Sequence, residues 1–362
     1  MSTSPRSILV VVTRRIGDVL LATPVMRSLK RAWPQAAIDA LVFEGTGGVL
    51  AGNPDLRTVI TVAERPARRA HLALARNLWR RYDLALSLLP GDRPTVYAWL
   101  AGRSRAGFVV DAPNQRWKRW LLDHALPYDN ADTHTVDLYL RVLAPLGVVP
   151  QRTVVAGWTE EDAARVAGAL AGAGIAGAFA VLHTSPMFPY KAWTDAGWRA
   201  VGEWLAARGL RVVLTGGPAA AERAAVAALA QTLPAAADLA GRFSLAETAC
   251  LLAQARLYVG PDTAITHLAA ALDVPTVALF GPSDPVKWGP WPARHADGKP
   301  WARYASQRTG NVVLLQGRAA CVPCLLEGCE RRLDSLSDCL QQLPPARVIA
   351  AAAALLDERP AR

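Results

Sequence analysis

The sequence predicts an α/β protein built from two Rossmann-like, doubly wound domains that face a central cleft. Three observations carry that expectation. With 362 residues, 52% of them hydrophobic, the chain is long enough for two ordinary domains, each with its own core. Both halves repeat one rhythm: a short β-branched run, a Gly/Pro/Asp turn, then an amphipathic or Ala-rich helix. A break between the halves falls at "APLGVVPQ", residues 144–151. Alternating strand and helix implies parallel sheets covered on both faces, and such sheets bind ligands beyond the carboxyl ends of their strands.

In the first half the strands are read at Ile8 to Thr13, Ile38 to Phe43 and Leu84 to Leu88. Arg14 to Asp18 then form a loop at the mouth of the cleft, which explains charge at the end of a buried strand. Thr23-Pro24 reads as an N-cap followed by proline at the first helical position, with a helix running to Trp33. In the second half the strands are Phe179 to His183, Arg211 to Thr215, Leu257 to Gly260 and Thr276 to Phe280. Thr194 is a second N-cap; Trp198, Val201, Trp204 and Leu205 follow at helical spacing, and Gly209 stops that helix. The expected domains are residues 1–150 and 151–343, the second carrying a Cys-rich segment, 321–339. Residues 344–362 form a C-terminal helix, read from Arg347 to Glu358, that packs back on the first domain.

Net charge is +10 and the pI near 9.8, a balance that favours anionic partners or an acidic membrane surface. The apolar run Ile8 to Val12 is too short for a signal core, and "VIAAAAALL", Val348 to Leu356, is less than half a membrane span. The chain is therefore expected in the cytoplasm, with surface attachment to a membrane left open. No nucleic-acid-binding motif accompanies the charge.

Four stretches could carry chemistry. The loop "RRIGD" ends in Asp18, which also suits a helix N-terminus electrostatically. It has no G-x-G-x-x-G, so a dinucleotide reading is weak. "HTSPMFPYKAW", His183 to Trp193, offers Thr184, Ser185 and Lys191 to a phosphate just before a helix. "TGGPAAAERA" sets two glycines after a strand and Glu222 one turn into the next helix, where a carboxylate can meet ribose hydroxyls. "VGPDTAITHLAAALDVPTVALFGPSDP" places Asp262, a capping Thr263 and His267 at another strand-to-helix junction. Each feature alone has an ordinary structural explanation.

Together, in order and spacing, these stretches resemble glycosyltransferase family 9, the lipopolysaccharide heptosyltransferases. The resemblance covers Ile8 to about Trp291, and "ATPVMRSLKRAWPQAAIDALVFEGTGGVLAGNPDL" with "VKWGPW" is most similar to the heptosyltransferase III subgroup. It implies a GT-B architecture and transfer of heptose from ADP-heptose to a sugar hydroxyl of the lipid A–core acceptor, with inversion at the anomeric carbon. Carried over residue by residue, it makes Asp18 the general base and Lys191, with Thr184 or Ser185, the diphosphate holder. Glu222 takes the position expected at the donor ribose, and Asp262 and His267 match the "D-[ST]-G-x-x-H" motif. Ala264 stands where that motif has glycine, which puts close backbone approach to the phosphates in doubt. Arg14 and Arg15, like "RPARR" (65–69) and "RWKR" (116–119), could meet acceptor phosphates or anionic lipid.

No cofactor is required for chemistry of this kind, and the chain has no Asp-x-Asp triplet for a dedicated metal–diphosphate site. Cys321, Cys324, Cys329 and Cys339 lie within 19 residues. The Cys-x-x-Cys pair is compatible with structural zinc, although the later spacings of four and nine intervening residues are irregular; reduced or redox-sensitive thiols are the alternative. Two other functions stay open: a family-9-like transferase using a different nucleotide sugar, and a non-catalytic nucleotide-sugar-binding protein of an envelope assembly complex.

Overall fold

The computed structural model describes residues 4–233 and 235–358. The chain divides into two compact units, Met1–Gly157 and Trp158–Arg362.

The first unit holds strands β1 (Ser7–Val11), β2 (Ala37–Phe43), β3 (Thr58–Val62), β4 (Tyr82–Ser87), β5 (Gly102–Val109) and β6 (His124–Pro127). They pair in the order β3-β2-β1-β4-β5-β6, all parallel. Strand β1 lies at the centre because Ile8 to Val11 carry no polar side chain and tolerate complete burial on both faces. Its helices are α1 (Ile16–Leu21), α2 (Thr23–Ala32), α3 (Arg68–Leu78), α4 (Asp92–Ala101) and α5 (Thr135–Leu140).

The second unit repeats the plan. Strands β7 (Phe179–His183), β8 (Arg211–Thr215), β9 (Ala236–Asp238), β10 (Leu257–Pro261), β11 (Thr276–Phe280), β12 (Gln307–Thr309) and β13 (Val312–Gln316) pair as β12-β13-β11-β10-β7-β8-β9. All are parallel except the edge strand β12, which runs antiparallel to β13. The helices used below are α6 (Glu160–Gly172), α7 (Asp195–Ala207), α8 (Ala220–Thr232), α9 (Leu245–Ala253) and α10 (Ala264–Ala271). Thr194 caps α7 as its position predicts, accepting from the Gly197 N–H at 3.0 Å. Thr159 and Ser244 close capping boxes at α6 and α9.

In each sheet the connections change sides at one point, between β1 and β4 and between β7 and β10. A doubly wound sheet opens a crevice at that switch point. The loops after β1, β7 and β10 are the ones that carry the candidate residues.

Four expectations are corrected. The first strand stops at Val11, and α1 begins at Ile16, so Asp18 sits in a helical first turn rather than in a loop. Thr23 is not a cap: the N-cap of α2 is Ala22, while the Thr23 hydroxyl donates to the Leu20 carbonyl at 2.7 Å and accepts from the Val155 N–H at 2.8 Å. The domain break falls after Gly157 rather than at 150, because residues 151–155 still pack on the first unit; the Gln151 N–H reaches Ser28 Oγ at 2.8 Å. The last helix, Pro345–Asp357, does not keep its apolar face for the first domain. Val348, Ala352 and Leu355 are buried in the second unit's own core with Trp198, Leu182 and Val259.

Candidate active site

In the first unit the site is one acid and its two partners. Asp18 is 5% exposed in the first turn of α1. Its Oδ1 accepts from the Tyr139 hydroxyl at 3.2 Å, and Oδ2 lies 3.3 Å from Arg14 Nε. Tyr139 arrives from α5, which packs against α1. Burial raises the Asp18 carboxyl above the ordinary carboxylate range; Arg14, then the Tyr139 hydroxyl, offset only part of that rise. The result is a buried carboxylate of increased basicity, oriented from two sides. Of the two arginines expected at the acceptor, Arg14 is engaged by Asp18, and Arg15 is the exposed N-cap residue of α1.

In the second unit three loops converge on Asp262. This residue directly follows β10 and is 8% exposed. Lys191 ends the short turn Pro189–Lys191 in the connection after β7, and its Nζ reaches Asp262 Oδ2 at 2.5 Å. Ser283, in the loop after β11, donates to the same oxygen at 2.6 Å. His267, on the first turn of α10, places Nε2 3.8 Å from Oδ1. Burial alone would raise the Asp262 pKa, but the Lys191 charge, then His267 and the two hydrogen bonds, hold it below the usual carboxylate range. Burial lowers His267 to about 4, so at neutral pH its ring is uncharged and Lys191 is the cation of the cluster. His267 Nδ1 is buried and has no hydrogen-bond partner among the described residues. An unpartnered buried ring nitrogen is costly.

Thr184 and Ser185 are half-buried at the start of the β7–α7 connection. Trp193 fixes the far end of that loop, donating its indole N–H to the Leu343 carbonyl at 2.9 Å. His183 itself is structural: its Nδ1 lies 3.1 Å from Thr215 Oγ1, the residue opposite it in the parallel register of β7 and β8. Thr263 caps α10, accepting from the Thr266 N–H at 3.4 Å. Glu222 folds back so that Oε2 accepts from the Gly217 N–H at 2.6 Å. A Cβ on Gly217 would stand 2.4 Å from that oxygen, so the second glycine of "TGGP" is needed for the carboxylate to close on its own loop.

The structure therefore gathers Lys191, Asp262 and His267 into one cluster, while Asp18 belongs to the first turn of α1 in the other unit. Two participants escaped the sequence reading. Ser283 lies in "GPSDP", a loop whose composition flagged it without naming the serine. Tyr139 had no local signal.

The Cys-rich segment carries its thiols without a disulfide. Among the described residues no group of three or more His, Cys, Asp or Glu is placed to hold a metal ion. All five cysteines are free; Cys321 and Cys329 are exposed, Cys324 is intermediate, and Cys250 and Cys339 are buried. The Cys329 sulfur accepts from the Asp338 N–H at 3.3 Å, and burial, then the neighbouring Cys324 and Cys329 thiols, raise the Cys339 thiol to about 11.

Two doubly wound sheets with polar clusters at their switch points are the make-up of the GT-B architecture. Residues 71–310 match the profile of glycosyltransferase family 9 (heptosyltransferase). Lipopolysaccharide heptosyltransferase 3 of Escherichia coli is 32% identical over 292 residues, covering 76% of this chain and 83% of that protein. A family 9 glycosyl transferase from Veillonella parvula aligns with a TM-score of 0.80 at 21% identity, covering 99% of both chains. The E. coli heptosyltransferase WaaC with ADP-2-deoxy-2-fluoro heptose aligns with a TM-score of 0.66 at 22% identity, over 86% of this chain and 93% of that one. The chain belongs to glycosyltransferase family 9, the heptosyltransferases.

Proposed function

We propose that the protein transfers a heptose from ADP-heptose to a sugar hydroxyl of the lipopolysaccharide inner core, inverting the anomeric centre. The observation that carries this reading is the Lys191–Asp262–Ser283–His267 cluster at the β7/β10 switch point. A cation there, beside the hydroxyls of Thr184 and Ser185 and the capped start of α10, suits a diphosphate. The donor and pathway are those in the names of its relatives: a lipopolysaccharide heptosyltransferase 3, and a WaaC structure with an ADP-heptose analogue.

In this reading Asp18 takes the proton of the acceptor hydroxyl as that oxygen attacks the anomeric carbon and the ADP oxygen departs with its electron pair. A positioned carboxylate commonly contributes about 10²–10⁴-fold in such a step. Raised basicity serves that role, and Arg14 with Tyr139 keeps the carboxylate aimed. Lys191 neutralises charge on the departing diphosphate, a contribution on the order of 10²–10³-fold for a well-placed donor. The free oxygen of Glu222 meets the ribose, His267 Nδ1 a donor oxygen, and Arg15 an anionic group of the acceptor.

The second reading is a family-9-like transfer from a different nucleotide sugar; Ala264, where the motif has glycine, bears on how closely the backbone approaches the phosphates. The test of both readings is incubation with a panel of nucleotide sugars and heptose-truncated core acceptors, followed by mass spectrometry and NMR of the new linkage. A heptose adduct only with ADP-heptose, of inverted configuration, is the expected result. Transfer from another donor alone, or retention, would overturn the reading.

A further inference from the structure

We propose that the carboxyl edge of the first unit's sheet carries a docking surface for an anionic phospholipid bilayer, built on the 3-10 segment Pro113–Trp120 between β5 and β6. That segment, "PNQRWKRW", contains no acid, and the structure sorts its side chains sharply. Lys118 is 1% exposed and acts as a staple: its Nζ donates to the Pro90 carbonyl at 2.5 Å and pairs with Asp92 at 2.6 Å. Both partners belong to the start of α4, just beyond the carboxyl end of β4. With its central cation turned in, the segment turns Arg116, Trp117, Arg119 and Trp120 outward; Trp120 is 87% exposed and Trp117 37%. Asp111 approaches Arg119 at 3.7 Å and is the acid nearest to it.

The same turn of α4 ties in a second basic segment. Arg93 donates to the Glu64 carbonyl, which leads directly into the exposed Arg68 and Arg69 of α3. Arginine and tryptophan are therefore presented together on one edge of one rigid sheet. Tryptophan settles at the headgroup level of a membrane, with its ring toward the acyl chains and its N–H in water, while arginine is drawn to anionic headgroups. A nearly fully exposed tryptophan next to Arg119 fits that partner better than it fits bulk water. Among the described residues no helix is long and apolar enough to cross a membrane, so the contact is one of surface attachment. The inference does not depend on the identity of the donor sugar.

The test is co-sedimentation of the full chain with phosphatidylglycerol–phosphatidylethanolamine vesicles and with phosphatidylcholine vesicles. The wild type is expected to bind the anionic vesicles and release at high salt. W117S/W120S and R116E/R119E are each expected to weaken binding by about tenfold or more. The melting temperature and the far-ultraviolet circular dichroism spectrum report that both variants remain folded. A charge-reversed control, R81E/R103E, lies at the opposite edge of the sheet and is expected to bind as the wild type does. Equal binding to neutral and anionic vesicles, wild-type binding by both patch variants, or an equal loss in the control would each overturn the proposal.

Discussion

Lys191 and Asp262 meet at 2.5 Å although they lie 71 residues apart, because β7 and β10 are adjacent parallel strands that end at the same edge. The carboxylate is buried and the lysine is partly open, so the pair holds a cation at a switch point. Replacing Lys191 by alanine removes the cation and also leaves Asp262 without its main compensating charge. The expected outcome is a tenfold or greater loss of ADP-heptose affinity by calorimetry, with a stability loss of about 1–3 kcal/mol. Adding Asp262→Asn should restore much of the stability and none of the affinity. Recovery of affinity in the double variant would mean that the pair serves packing alone.

Asp18 carries the opposite balance. Its folded-state pKa is raised by burial, so the stability it contributes belongs to the protonated form and is lost as pH rises through that value. At neutral pH the ionised carboxylate is therefore a stability cost accepted at this position. Asp18→Asn should reduce turnover by at least about a hundredfold while leaving the melting temperature at pH 7 unchanged or higher. A variant that melts earlier and turns over normally would contradict both the basicity and the role assigned to Asp18.

Much of this arrangement is legible in the sequence, and the exceptions have physical causes. Strands β7, β8 and β11 were bounded to the residue because each is an apolar run closed by turn residues at both ends. Strand β5 was missed because Arg103, Arg105 and two glycines break the apolar pattern of a strand near the sheet edge. The start of α1 was missed because its N-cap, Arg15, makes no side-chain cap hydrogen bond, so the usual Ser/Thr/Asp marker is absent. Lys191, Asp262 and His267 were found because strand–turn–helix punctuation marks all three. Tyr139 reaches Asp18 from 121 residues away, and no local pattern encodes such a contact.

Tyr139 is accordingly the sharper test of how Asp18 is tuned. Its hydroxyl donates to the ionised carboxylate, which lowers the Asp18 pKa against the larger upward effect of burial. Tyr139→Phe removes that donor and little volume. The acid limb of the kcat/KM–pH profile should then move upward, with the plateau rate above the limb largely kept. An unmoved limb would assign Tyr139 to packing.

The two buried histidines of the second unit make a prediction about acid stability. Burial depresses His183 to about 4 and His267 to about 4, against about 6.5 in the unfolded chain. Between those values the unfolded state binds more protons than the folded state, so stability falls as pH is lowered from 6.5 toward 4. Asp262, whose pKa is lowered, loses its contribution only below the ordinary carboxylate value and so acts in a more acidic window. The melting temperature should therefore drop steadily from pH 6.5 to 4.5. His183→Gln, which keeps a hydrogen-bonding group for Thr215 and cannot take up a proton, should flatten that slope by about one proton. Because His183 has its hydroxyl partner while His267 Nδ1 has none, ADP bonded to neutral His267 should lose affinity only near and below pH 4, where the folded ring takes up a proton. An ADP affinity that does not fall more between pH 5 and pH 3.5 in the wild type than in a His267→Gln variant would place His267 outside the donor site.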